Sequence, residues 1–265
     1  MLEGVKSVSR PWLSPSIASV VRSAVLESVS RYHRHEVVVD SAPPSEPVLF
    51  VGNHGFGTVT DPNVLAVAAA MDALSRGRDQ TYLVHDLAWT LKVGGLVAAF
   101  GGAPASADSA EQAWRQGNDV VVFPGGDREA GKSWRDRDRI IFGGRSGFAR
   151  LAMEHSKPVV PVVTAGAGEG ALVFTDGQGL ASALGLDRAL RYKVLPVSWS
   201  LPWGLSVGIA GLLPYLPLPT KLISAVMPAM TAGPDEDAAE FALRVESSMQ
   251  ARMDELVTNR LPLIG

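Results

Sequence analysis

Cysteine is absent from this 265-residue chain. Its absence excludes a disulfide framework, a thiolate metal site and a cysteine nucleophile, and it allows a reducing compartment. A serine nucleophile lacks its usual setting too. The nearest text to a Gly-x-Ser-x-Gly elbow is Gly144-Arg145-Ser146-Gly147-Phe148, without the closing glycine. A covalent acyl-enzyme is therefore not expected. No His-Glu-x-x-His or similar spacing offers a zinc site. The glycines of Val163–Gly170 (VTAGAGEG) lack the spacing of a dinucleotide fingerprint. Positive charge is not in excess: 24 Lys and Arg face 27 Asp and Glu, a net charge of −3, which argues against a nucleic-acid partner.

Long unbroken apolar runs are also lacking, although 46% of the residues are hydrophobic and only 19% charged. Nothing reaches the roughly 18 uninterrupted apolar residues of a spanning helix. The opening MLEGVKSVSRPWLSPSIASV does not have the basic start and apolar core of a signal peptide. The nearest membrane candidate is Val194–Pro219, which carries no charge but five prolines, too many for a helix.

What is present is a regular alternation. Pro15–Tyr32 reads as an amphipathic helix, followed by a short strand in His33–Asp40, in which His33 and His35 share a face as a surface pair rather than a metal site. Val48–Asn53, Gln80–Asp86, Asp119–Gly126 and Pro158–Gly166 read as strands, with Lys221–Met230 as a late candidate. Pro62–Leu74, Ser106–Gly117 and Ser146–His155 read as helices, with a glycine-rich connection near Gly101, and Pro234–Asn259 closes as a long amphipathic helix. Continuous β-branched strands alternating with helices predict a mostly parallel α/β sheet flanked by helices. We expect one domain over 1–265: an amphipathic segment to 35, an α/β core over 36–230 and a C-terminal helix over 231–265.

Ligands in such sheets bind beyond the carboxyl ends of strands, and two exits carry chemistry. The first is Asn53-His54-Gly55-Phe56-Gly57-Thr58-Val59-Thr60-Asp61. An imidazole titrates near neutrality and can take a proton from a hydroxyl, provided an acceptor holds its other nitrogen. Asp61 is placed to be that acceptor by folding back across the turn. An Asp just before Pro62 is equally well placed to cap a helix, so both readings of Asp61 stand. The second exit is Phe123-Pro124-Gly125-Gly126-Asp127-Arg128-Glu129. Its two glycines expose amides suited to an anion or an oxyanion, and Arg128 is a planar fork suited to phosphate. From Arg128 to Arg150 lie seven basic residues (Arg128, Lys132, Arg135, Arg137, Arg139, Arg145, Arg150) against Glu129, Asp136 and Asp138, which reads as a basic mouth or as a solvated loop.

These motifs, in this order, with the following RSGFARLAMEHSKPVVPVV, resemble the glycerolipid acyltransferase superfamily, which includes lysophosphatidate acyltransferases. The second motif is closer to the diacylglycerol acyltransferase and phytyl-ester synthase branch. The resemblance covers Val48–Gly170 and departs in two places. Six residues, not four, separate His54 from Asp61. The family's glutamate and threonine in Phe-Pro-Glu-Gly-Thr-Arg are Gly125 and Asp127 here. It implies a glycerol-phosphate acyltransferase-like fold with His54 and Asp61 as the catalytic pair. It also implies substrate binding by Asn53, Gly125, Gly126, Asp127, Arg128 and Glu129. The implied reaction passes a fatty acyl group from acyl-CoA or an acyl carrier protein to a lipid hydroxyl, with no bound cofactor and no metal. The missing glutamate makes a less polar alcohol, such as a diacylglycerol, as fitting an acceptor as a lysophospholipid. A peripheral or monotopic protein at the cytoplasmic membrane face is expected, with Pro15–Tyr32 and the aromatics Trp199, Trp203 and Tyr215 at headgroup depth. A lipid-binding protein without catalysis, and a thioester hydrolase, are the alternatives.

Overall fold

In the computed structural model, residues 13–56, 61–85, 94–177, 197–208 and 215–265 are described. Part of the turn between His54 and Asp61 lies outside them.

The β-branched runs pair as the alternation predicts. Strands β1 (Glu36–Val39), β2 (Leu49–Gly52), β3 (Gln80–Val84), β4 (Gly102–Pro104), β5 (Asp119–Val122), β6 (Val159–Ala165) and the late β10 (Ile223–Val226) form one seven-stranded sheet. Its order is β1-β10-β6-β2-β5-β3-β4. The five strands from β6 to β4 are mutually parallel, whereas β10 runs antiparallel to β6 and carries β1 with it. Strand β4 falls where a glycine-rich connection was expected; Gly102 to Pro104 pair with Tyr82 to Val84, and Pro104 suits an edge that needs few donors.

Strand β2 sits between β5 and β6, Leu49 opposite Val120 and Val159, and all four of its residues are buried. Both of its faces are therefore covered. Phe50 packs with Val67, Ala70 and Met71 of helix α2 (Pro62–Ala73). On the other face Leu49 and Val51 join the Ala and Trp114 side chains of α4 (Ala107–Arg115), Phe148 and Leu151 of α6 (Gly147–Glu154), and Phe241, Val245 and Met249 of α7 (Ala238–Val257). The short helices α3 (Gly94–Ala99) and α5 (Gly126–Ala130) complete this set. The chain leaves β2 through α2 on one face and leaves β5 through α6 on the other. The carboxyl ends of β2 and β5 thus form the point where a ligand crevice opens in this architecture.

Helix α1 (Pro15–Tyr32) lies against α2, with Arg22 donating to both carboxylate oxygens of Asp72 at 2.7 and 2.8 Å. The reading of His33–His35 as a surface strand pair is corrected. Arg34 turns left-handed at φ 47°, so the strand starts only at Glu36. His33 is buried with Nδ1 3.0 Å from the Thr220 carbonyl, and His35 Nε2 lies 2.8 Å from Ser224 Oγ.

The segment Val194–Pro219 was expected as a proline-broken apolar stretch. Within its described residues it supplies β8 (Val197–Ser200) and β9 (Gly204–Val207), which pair with β7 (Leu172–Thr175) in a second, antiparallel sheet of order β7-β8-β9. Among the described residues no helix is long and apolar enough to cross a membrane.

Candidate active site

Strand β2 delivers Asn53 and His54 to the crevice. Asn53 is buried and acts as a strand extension in side-chain form: its Nδ2 donates to the Thr164 carbonyl (3.1 Å) and its Oδ1 accepts from the Thr164 amide (2.8 Å). The Asn63 side chain donates to the Asn53 carbonyl at 3.1 Å. The backbone that carries His54 is therefore clamped on both sides. Asn53 is occupied with structure, not turned to a substrate as the sequence suggested.

The His54 ring lies tilted against Phe123, centroids 5.0 Å apart, and its side chain is 17% exposed. Its Nδ1 sits 2.8 Å from Oδ2 of Asp61, which is fully buried. A carboxylate only accepts, so Nδ1 is the donor in this contact, which in the neutral ring puts the lone pair on Nε2. Asp61 also accepts from the amides of Gly55 (3.0 Å) and Asn63 (2.8 Å), the latter as N-cap of α2. Both readings of Asp61 therefore hold at once, and the helix N-terminus is a favourable place for its negative charge. Gly55 is required by proximity: a Cβ there would fall 2.8 Å from Asp61 Oδ1 and 2.9 Å from Ala167 Cβ.

Beneath His54 lies a group whose role the sequence does not reveal. Glu129 is fully buried. Its Oε2 accepts the His54 backbone N–H at 3.0 Å and its Oε1 accepts the Ile141 N–H at 3.1 Å. A Cβ on Gly125 would fall 2.1 Å from Glu129 Oε2, so the space a side chain at 125 would enter is filled by this carboxylate, arriving from one helical turn later. Lys132, also buried, places Nζ 3.9 Å from Glu129 Oε1 and donates to the Arg139 carbonyl at 2.8 Å. Burial pushes the Glu129 carboxyl up and the Lys132 ammonium down; each is opposed first by the other's charge. Glu129 was expected at the substrate and instead supports the loop that bears His54.

The remaining residues of the second motif divide. Arg145 donates to the carbonyls of Pro124 and Gly125 and pairs with Asp127, so Asp127 is engaged in clasping the turn. The Gly126 amide donates to the Phe123 carbonyl at 3.3 Å, and among the described residues the Gly125 amide has no partner. The basic mouth is smaller than seven side chains. Lys132 and Arg145 are structural, Arg137 packs over Trp134 (5.0 Å to the ring) beside Asp138, and Arg139 faces Asp136. Arg128, Arg135 and Arg150 have no ionic partner among the described residues, and Arg128 is the half-buried one, beside Gly143. The Glu129 contact was hidden because it joins residues 75 positions apart in the chain.

Comparison with known proteins bears on the family and the fold. A family model described as Acyltransferase matches residues 32–165, just over half of the chain. An uncharacterised protein of Mycobacterium tuberculosis is 29% identical over 223 residues, covering 83% of this chain and 59% of its own. A mouse protein named "DGAT1/2-independent enzyme synthesizing storage lipids" is 28% identical over 141 residues, 53% of this chain and 36% of its own. The chain thus spans about three fifths of the mycobacterial relative's length. Among solved structures, the 1-acyl-sn-glycerophosphate acyltransferase PlsC of Thermotoga maritima superposes with a TM-score of 0.51 at 16% identity, covering 91% of this chain and 84% of that one. At that identity the likeness is one of fold, the mostly parallel sheet flanked by helices.

Proposed function

This chain belongs to the acyltransferase family, and we propose that it transfers a fatty acyl group from an acyl thioester, acyl-CoA or an acyl carrier protein, to the hydroxyl of a glycerolipid or lysophospholipid. The observation that carries this reading is the 2.8 Å contact between His54 Nδ1 and the buried Asp61 carboxylate. It supports Nε2 in the role of general base at the open end of the sheet. In the step we propose, Nε2 takes the proton of the acceptor hydroxyl while that oxygen attacks the thioester carbonyl carbon. The tetrahedral intermediate collapses with breakage of the C–S bond, and the imidazolium returns the proton to the departing sulfur. Asp61 stabilises the imidazolium in between. The Gly125 amide is suited to the oxyanion, and Arg128 to a phosphate of donor or acceptor.

No protein nucleophile enters this scheme, which predicts a ternary complex. The mouse relative's name speaks of storage-lipid synthesis, in keeping with a weakly polar acceptor such as a diacylglycerol. Both substrates carry acyl chains, so we place the reaction at a membrane surface, on the cytoplasmic side where acyl thioesters are made available. The test is labelled long-chain acyl-CoA presented to the purified protein with detergent-dispersed membrane lipids, wild type beside His54→Ala. We expect label in a lipid product with the wild type alone. Label only in free fatty acid would make the protein a hydrolase. No turnover from a folded protein that still binds lipid would make it a binder.

A further inference from the structure

The second sheet is built inside out for a sheet in water. Its register sets Leu172 beside Trp199 and Trp199 beside Leu205, with Val197 beside Val207. Residues directly opposite share a face, so one face carries Leu172, Trp199, Leu205, Val197 and Val207, with Thr175 beside Val197 as its one polar member. The other face carries Val173, Ser198 and Ser206, all buried, with Ser200 buried at its end. An antiparallel sheet with one solvated face keeps its apolar residues inward and its polar ones outward. Here the serines face the protein, and Leu205 at 68% exposure and Val207 at 54% face outward; Phe174, at the register shift within β7, is 60% exposed, and beyond the strands Trp203 is 50% and Leu216 57% exposed.

Such a patch marks a binding surface, and its surroundings indicate for what. No described residue of β7, β8 or β9 is charged. At its rim Arg135, exposed and without an ionic partner among the described residues, lines a hollow with Trp134, Leu172, Val173 and Phe174. Aliphatic residues outward, a tryptophan at the turn and a free guanidinium at the edge are the order of chemistry met on passing from acyl chains to an anionic headgroup. The sheet also reaches the site. Val173 packs with Phe56, Ala171 and Tyr215, and Tyr215 donates to the Phe56 carbonyl at 2.8 Å, two residues from His54. Tyr215 is thus a buried strut, not an interfacial aromatic.

We propose that the outer face of β7-β8-β9 is the surface by which this protein docks on an anionic bilayer, holding the His54 crevice beside the lipid acceptor. The proposal rests on the lipid-acyltransferase reading for its choice of partner, and its test reads binding and turnover separately. The full chain is sedimented with vesicles of phosphatidylcholine, with and without phosphatidylglycerol. Leu205→Glu/Val207→Glu, and the milder Leu205→Ser/Val207→Ser, change only outward side chains; circular dichroism melting verifies the fold. We expect wild-type binding that rises with phosphatidylglycerol, a fall of at least about tenfold in both double variants, and loss of the phosphatidylglycerol preference in Arg135→Gln. Turnover of acceptor dispersed in detergent should stay within about twofold of wild type, since detergent replaces the bilayer.

Wild-type binding retained by both double variants would overturn the proposal. So would loss of binding confined to Val20→Ser/Val21→Ser on α1, whose outer face is also apolar. A wild type that ignores vesicles but forms a dimer broken by the sheet variants would assign the face to a second copy. Vesicle binding lost in the variants, with no acyl transfer by the wild type in any medium, would leave the docking surface standing and remove the enzymatic reading.

Discussion

The crevice at the ends of β2 and β5 and the outer sheet β7-β8-β9 treat polar groups in opposite ways. In the crevice, polar side chains are buried and tied: Asp61 accepts from three donors, Asn53 spans the Thr164 backbone, and Glu129 holds two amides. In the outer sheet the serines are buried with little to bind, and Ser198 Oγ has no partner among the described residues. The first region has been organised around fixed charge, which does not need to reorient as a reaction proceeds. The second turns leucine and valine outward and serine inward, the distribution expected of a face proposed to meet an apolar solvent.

If that contrast is correct, the crevice should be intolerant of changes that preserve shape but alter donors and acceptors. Beyond removal of His54, the largest effect is expected at Asp61. Asp61→Asn can still cap α2 through Oδ1, but its amide presents a donor to Nδ1 and selects the wrong imidazole tautomer. We expect kcat to fall on the order of 10²- to 10⁴-fold, with a lesser loss of stability because Oδ1 still accepts from the Gly55 amide at 3.2 Å. A fall in stability instead, with kcat unchanged in the folded fraction, would reduce Asp61 to a cap.

Glu129→Gln comes next. A carboxylate accepts from both the His54 and Ile141 amides, while a carboxamide accepts from one and confronts the other with a donor. Lys132 would lose its counter-charge at 3.9 Å. We expect a stability loss of about 3–5 kcal/mol in urea titration and a lowered kcat with KM little changed. Glu129→Gln/Lys132→Met should recover part of the stability and none of the kcat. Recovery of both would show that the carboxylate matters only as a partner for Lys132.

A smaller effect lies outside both regions. Burial holds the His35 imidazole down at about 4 in the folded protein against 6.5 for the free side chain. Because the folded value is depressed, the neutral ring contributes stability that is present above pH 6.5 and declines as pH falls toward 4. Stability against urea should therefore drop by roughly 2–3 kcal/mol between neutral pH and pH 4 from this group, and His35→Gln should flatten that part of the slope. His33, also depressed by burial, acts in the same direction. The smallest effect sharpens the contrast from the other side: Ser198→Ala removes an unpartnered buried hydroxyl and should be neutral or stabilising by about 1 kcal/mol.

What could be read from the sequence follows the physics of each region. Strands β2, β5 and β6 are buried on both faces, so their β-branched runs are continuous and declare themselves, as do the two motifs at their ends. Strands β7 to β9 did not. They bury one face only, that face is serine-rich, and Pro202 interrupts the run just before Trp203, so the pattern matches no water-facing strand. Glu129 was visible as a residue but not in its place, because a hydrogen bond across 75 residues leaves no local signal. The buried His33 was masked by Arg34, whose left-handed turn breaks the two-residue alternation on which a shared strand face depends.

The most direct test is the fate of the acyl group in a single turnover. Enzyme in excess over labelled acyl-CoA is quenched at intervals, with and without lipid acceptor, and label is measured in protein, lipid and free acid. Direct transfer predicts that label leaves acyl-CoA only when acceptor is present, appears in lipid, and never becomes covalently attached to the protein. Label bound to protein before it reaches lipid would contradict the account and replace His54 as general base toward the acceptor with a nucleophile in the crevice.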